Sequence, residues 1–193
     1  MTDPAMDHIP ILARGALRLV PFGERHLTPA YVGWLNDPDT MRYSEQRHRQ
    51  HSLDSCRAFV AGFSGGPNQL WAIEAMDQDA GQEGRHIGNI TASHDVHNRI
   101  ADIGILIGAD GCQGKGYGLT AWSLVLEHLA ARPDLHKVTG GCLAANTAMV
   151  RIMQRAGMKP DGVRPAHYLL DGQPVDIVYY AMPGGFSGAA PEV

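Results

Sequence analysis

Four glycines, Gly111, Gly114, Gly116 and Gly118, are the residues whose type and spacing point most directly to chemistry. Glycine lets a backbone turn tightly and come close to a ligand. Ahead of them Ile103–Ile107 reads as an apolar strand. Behind them Leu119, Trp122, Leu126 and Leu129 recur at helical spacing, which predicts a helix with one buried face. A loop between the two offers its own amides together with the N–H groups of the helix's first turn, which have no partner inside the helix. Aimed at one point, and aided by the helix dipole, these groups make a site for phosphate or another anion.

Three nucleotide-binding patterns compete for this loop. A Walker loop needs glycine five residues before Gly114, where Ala109 stands, and Ser or Thr after Lys115, where Gly116 stands. The dinucleotide fingerprint matches Gly116, Gly118 and Ala121 by spacing. Its ribose-binding acid should follow the next strand, Lys137–Leu143, yet Ala144, Ala145 and Asn146 are there. The third pattern, Gln/Arg-x-x-Gly-x-Gly/Ala, is satisfied by Gln113, Gly116 and Gly118.

The elements that must position this loop can be drawn in order. Residues 1–14 are expected to be a flexible N-terminal arm, 15–182 a single domain, and 183–193 a disordered tail rich in Gly, Ala and Pro. Ala16–Phe22 reads as a first strand. Thr28 and Pro29 open a helix that Asn36-Asp37-Pro38 closes. A polar stretch, Met41–His51, leads to a second helix over Leu53–Phe63, capped by Ser52. Leu70–Met76 is a strand, Asp77–Gly84 a hairpin turn, His86–Ser93 the return strand and His94–Arg99 another turn. Ala101–Ile107 then enters the glycine loop, completing an antiparallel meander. Lys137–Leu143 follows a strand–helix pair and so should run parallel to the loop strand. Asn146 caps a helix with Met149, Ile152, Met153 and Ala156 on one face, ended by Gly157 and Pro160. Two last strands, Val163–Leu170 and Val175–Met182, meet at the turn Asp171-Gly172.

Composition narrows the function. The 193 residues suit one domain with a real core. A formal net charge of -4 gives no sign of a nucleic-acid binder. No apolar run reaches the length of a membrane span, and the N-terminus lacks the layout of a signal peptide. Cys56, Cys112 and Cys142 read as free thiols, which points to the cytoplasm. Cys112 lies in the loop as a filler residue rather than a nucleophile. His94 and His97 are the one close histidine pair, too few for a metal site, so no metal is expected.

With its strand, two helices, three strands, helix, strand, helix and two strands, the chain resembles the GNAT superfamily of acetyl-coenzyme A-dependent N-acetyltransferases over residues 15–182. The Gln113–Gly118 pattern matches that family's pyrophosphate loop. Trp34-Leu-Asn-Asp-Pro38 resembles the first helix of the branch that includes ribosomal-protein N-terminal acetyltransferases. Asn146–Met158 resembles the family's Asn-x-x-(small)…Gly-Phe segment, with Met149 at the small position and Met158 in place of Phe. The resemblance implies a mixed, mostly antiparallel α/β (α+β) sheet with a splayed parallel strand pair, flanked by about four helices.

It implies, too, transfer of an acetyl group from acetyl-CoA, as co-substrate, to a primary amine by direct attack. Gln113, Gly114, Lys115, Gly116, Tyr117 and Gly118 would hold the diphosphate. A backbone N–H among Ile105, Leu106 and Ile107 would polarise the thioester. Asn146 and Met149 would border the pantetheine arm. Ser44, Glu45, Arg47 and His48 are candidate acceptor contacts. The base that frees the amine of its proton is open between Asp102, acting through water, and the histidines of the adjoining turn, His97 and His94. Asp102 would share a strand face with Gly104 and Leu106. Many relatives carry a tyrosine seven residues after the asparagine to protonate the leaving thiolate; here that position is Met153, which cannot donate a proton. Arg151 and Arg155 are expected on a solvated face. The acceptor is either a small amine or a protein N-terminus, a homodimer is left open, and a non-catalytic acyl-CoA-binding module on the same fold is the alternative.

Overall fold

The computed structural model describes residues 9–76 and 84–186. Eight strands form one sheet: β1 (Leu12–Arg14), β2 (Leu17–Pro21), β3 (Gln69–Ala75), β4 (Arg85–Asp95), β5 (Ile100–Ile107), β6 (Lys137–Leu143), β7 (Lys159–Leu170) and β8 (Gln173–Pro183). Five helices flank it: α1 (Pro29–Asn36), α2 (Pro38–Met41), α3 (Leu53–Ala61), α4 (Tyr117–Ala130) and α5 (Thr147–Arg155). The strand order is β1-β2-β3-β4-β5-β6-β8-β7, and every pairing is antiparallel except β5 with β6.

Side-chain alternation gives the sheet two covered faces. Leu17, Leu19, Trp71, Ile73, Ile87, Ile90 and Ile103 share one core with Trp122, Val125, Leu126 and Leu129 of α4. Val20, Phe22, Leu70 and Ala72 share the second with Tyr31 of α1 and Cys56 of α3. Glu74 is buried yet fully paired: Arg18 and Arg25 bind its two oxygens, and His26 Nε2 donates to Oε1 at 3.0 Å. These bonds tie the turn Glu24–His26 to β3.

The helix starts follow their caps. The Thr28 hydroxyl accepts from Tyr31 N with Pro29 in the first turn, and Ser52 and Ser55 cap α3 reciprocally. Several boundaries differ from expectation, β7 starting at Lys159 rather than Val163 among them. Residues 10–14 of the expected N-terminal arm are held to the domain: Leu12–Arg14 pair with β2, and Pro10 O accepts from Trp71 Nε1 at 2.8 Å. Residues 184–186 of the expected C-terminal tail are likewise held to the domain: Gly184 N and Phe186 N bond to His136 O and Leu135 O, and the Arg99 guanidinium lies 4.4 Å from the Phe186 ring centre. β4 runs on to Asp95, which puts His94 on a strand rather than in the turn. Residues 1–8, most of the expected 77–84 turn, and 187–193 lie outside the described residues.

Candidate active site

β5 pairs with β6 only at Ile100–Lys137, Ala101–Val138 and Asp102–Thr139. Beyond Asp102 the two strands part, while β4 stays bonded to β5 as far as Ile107. Successive residues of a strand turn their N–H and C=O to opposite sides. Part of β5 between Ile103 and Ile107 therefore presents backbone groups to the gap instead of to a partner strand. Small residues hold this geometry. A Cβ on Gly140 of β6 would fall 2.6 Å from Trp122 Cζ2. A Cβ on Gly108, just past β5, would fall 2.6 Å from Trp34 Cβ, so α1 packs directly over the start of the glycine loop.

The loop itself is exposed. Gly111, Gly114 and Gly116 have φ of +69°, +75° and +79°, and nothing lies within 4 Å of where a Cβ would stand on any of them. Only glycine adopts this backbone without strain. Gly116 is the N-cap of α4 and no side chain caps the helix, so its first-turn amides have no intrahelical partner. Gly118 is different: a Cβ there would meet Ile152 Cδ1 at 3.1 Å, so this glycine lets α4 approach α5. Gln113 and Lys115 are exposed and Tyr117 is half-buried against the core. Cys112 is buried, with Arg85 Nη2 3.8 Å from its sulfur. Exposed glycine amides at a helix start with no side-chain cap can bind an anion such as a diphosphate.

A cleft of about 580 Å³ occupies the gap and extends under α1, α2 and α3. Gly104–Leu106, Gly141 and Cys142 border it from the sheet, and Asn146 and Met149 from α5. Asn146 Oδ1 accepts from Met149 N at 3.1 Å as the α5 cap, which leaves its Nδ2 for a guest. Ser44 lines the cleft, its hydroxyl accepting from Gln46 N at 3.2 Å. Arg47 and His48 do not line it. Arg47 is committed to Ser44 O, Glu45 Oε1 and Leu169 O, at 2.8–2.9 Å, and His48 is exposed, 3.9 Å from Glu45 Oε2.

The base candidates separate as well. His97 is exposed in the turn after β4, and His94 stands near Gln69, Arg132 and Asp134; neither lines the cleft. Burial pushes His94 down to about 4. Asp102 does not line the cleft either; it shares a strand face with Gly104 and Leu106, which do, and stands at the apex of the splay, where Thr139 Oγ1 donates to its Oδ2 at 2.7 Å. Desolvation raises its carboxyl above the ordinary value, and the Thr139 bond opposes that. Met153 is fully buried against the β6 side of the core.

Sequence reasoning missed several lining residues. His51 is held by Asn36, whose Oδ1 accepts from His51 N at 2.8 Å and whose Nδ2 donates to His51 O at 2.9 Å. Asn89 and Thr91, alternate residues of β4, line the floor, and Asn89 Oδ1 is buried with no hydrogen-bond partner among the described residues. Polar residues at that alternation were the available signal. Cys56 and Cys142 border the cleft, but burial raises both thiols, Cys142 to about 11. Among the described residues no cluster of His, Cys, Asp or Glu could hold a metal, and no helix is long and apolar enough to cross a membrane.

The sequence profile described as the Acetyltransferase (GNAT) domain matches residues 16–159. The chain therefore belongs to the GNAT acetyltransferases, and as such is an acyltransferase with acetyl-CoA as co-substrate. No curated protein matches the sequence. Among solved structures it is similar to a GNAT-family acetyltransferase from Bacillus anthracis (21% identity, 90% of this chain and 98% of the other, TM-score 0.74). It is similar also to RimL, a ribosomal alpha-N-protein acetyltransferase in complex with coenzyme A (19%, 91% and 99%, TM-score 0.76). A third is spermidine N-acetyltransferase from Vibrio cholerae in complex with CoA and spermine (19%, 87% and 95%, TM-score 0.73). At these identities the three speak for the fold.

Proposed function

We propose that the chain moves an acetyl group from acetyl-CoA to a primary amine by direct attack within a ternary complex. The observation that carries this reading is the splay: an unpartnered edge of β5 that begins at Asp102 and ends at an open glycine cradle. The Gln113–Gly118 amides hold the diphosphate, with Lys115 adding charge nearby. The pantetheine arm follows the gap between β5 and β6, where Asn146 Nδ2 and the Met149 side chain meet it. A β5 N–H from Ile105–Ile107 stabilises negative charge on the thioester oxygen as it develops. Holding both reactants in one cleft supplies much of the remaining acceleration.

The amine attacks only when neutral, so its proton must leave. Asp102 receives it through water: its carboxyl lies on the face that continues from Gly104, and lost hydration makes it more basic than an ordinary aspartate. The thiols of buried Cys56 and half-buried Cys142 are held protonated and give no nucleophile. With Met153 buried, the departing thiolate takes its proton from water; a thiol pKa of about 8.5 makes that undemanding. The acceptor is a small amine; related folds act on spermidine and on a ribosomal protein N-terminus.

Initial-rate patterns test the direct route. Varying acetyl-CoA at several amine concentrations should give intersecting reciprocal plots, whereas parallel lines would mean an acetyl-enzyme and sink it. Asp102→Asn should lower kcat and remove the acidic limb of the pH–rate profile; an unaltered limb would take Asp102 out of the mechanism.

A further inference from the structure

The charge of the cleft bears on its acceptor, and this inference rests on reading the space under α1–α3 as the acceptor side. Among the described residues lining the cleft there is no carboxylate; Asp102 stands outside the lining, at the apex of the splay, and is bonded to Thr139. The one permanently ionic side chain is Arg49, itself exposed to solvent, and around it stand neutral polar groups such as Gln46, Gln50 and Ser55. The other arginines nearby are engaged. Arg42 binds Asp171 at 2.7 Å, and Arg47 binds Glu45 at 2.8 Å and the hairpin carbonyl of Leu169 at 2.9 Å. Arg57 bridges Glu24 and Asp54. Arg49 makes no ion pair among the described residues. His51, two residues on, is fixed at the cleft wall by both backbone bonds to Asn36.

A guanidinium without a counter-charge beside a cavity is a ready bidentate partner for a carboxylate or a phosphate. The same arrangement works against a second ammonium, which would find no carboxylate and would meet Arg49. The volume, about 580 Å³, is shared between the thioester end of acetyl-CoA and the acceptor, which suits a small molecule. We propose that the acceptor is a small amine carrying an anionic group, a carboxylate or a phosphate, bound by Arg49, and that polyamines are excluded.

Thiol release from acetyl-CoA with matched acceptors tests this. The pairs are an amino acid and its carboxamide, and an aminoalkyl phosphate and the parent amino alcohol, run beside spermidine and a short peptide with a free N-terminus. The anionic member of one pair should be favoured in kcat/KM by about 10- to 100-fold, the size of a charge-assisted hydrogen bond. The pair that shows it separates carboxylate from phosphate. Arg49→Gln should abolish the preference by raising the KM of the anionic acceptor, with the KM for acetyl-CoA unchanged, and Arg49→Lys should restore part of it. Equal use of both members, preference for spermidine, or acetylation of the peptide alone would overturn the inference and leave the acetyltransferase reading standing. Binding of acetyl-CoA with no turnover of any amine would overturn both.

Discussion

The substitution Gly116→Asp separates folding from acetyl-CoA binding. At φ +79° a residue with a Cβ costs roughly 1–2 kcal/mol, and aspartate is among those that tolerate this region best. Nothing lies within 4 Å of the new Cβ, so there is no clash to add. A carboxylate at the uncapped N-terminus of α4 returns about 0.3–1 kcal/mol through the helix dipole. Stability should therefore fall by no more than about 2 kcal/mol. Binding should weaken as well, and unlike stability it should respond to the charge, since the carboxylate takes the place meant for a phosphate. Two like charges about 4 Å apart cost about 4 kcal/mol at an effective dielectric near 20; solvent screening at this exposed loop brings that to about 2 kcal/mol. Acetyl-CoA should then bind about 30-fold more weakly. Gly116→Ala is the control, with the backbone cost and no charge. Thermal unfolding and titration calorimetry on the three proteins decide the matter. A folded Gly116→Asp protein with unchanged affinity would refute the assignment of this loop to the diphosphate.

Other perturbations test the scaffold. Gly108→Ala should cost about 1–3 kcal/mol by overpacking against Trp34; an unchanged denaturation midpoint would show that α1 yields at no expense. Asn36→Ala removes the bonds to Val32 O, His51 O and His51 N. It should cost about 1–3 kcal/mol and raise the acceptor KM more than that for acetyl-CoA, and equal effects on both would deny His51 its place in the acceptor half. Burial holds His86 and His94 near 4, against about 6.5 in an unfolded chain. Between those values the unfolded state binds more protons, so stability rises with pH and is lost as pH falls below about 6.5, by up to about 1.4 kcal/mol per pH unit for each histidine. Urea unfolding at pH 7 and pH 5 measures this, and equal stability would contradict the buried neutral rings.

Local chemistry made much of the fold legible. Thr28, Ser52 and Asn146 announce their helices because a cap acts within three residues. The strand, glycine loop and helix from Ile103 to Leu129 are likewise written in adjacent residues. What stayed hidden depends on distant partners. The one-turn helix α2 rests on the Asp37 carboxylate accepting from Thr40 N at 2.7 Å, in a stretch too short to show a period. Arg47 looked like an acceptor contact, but a hairpin carbonyl 122 residues away claims it. His51 looked like any polar residue until Asn36, 15 residues earlier, placed it at the cleft. His97 looked like a base because its turn adjoins β5 in sequence; it adjoins the paired end of β5 rather than the splayed end. Spacing along the chain points to the glycine loop proposed to hold the diphosphate, while the proposed acceptor side is assembled from contacts that spacing does not encode.

The most direct test of acetyl transfer in this cleft is the mass of the acceptor after incubation with acetyl-CoA and the intact protein. The account predicts an amine heavier by one acetyl group, formed in step with thiol release and lost when Gly116→Asp replaces the native protein. Thiol release of the same size with no amine present and no acetylated product would contradict it.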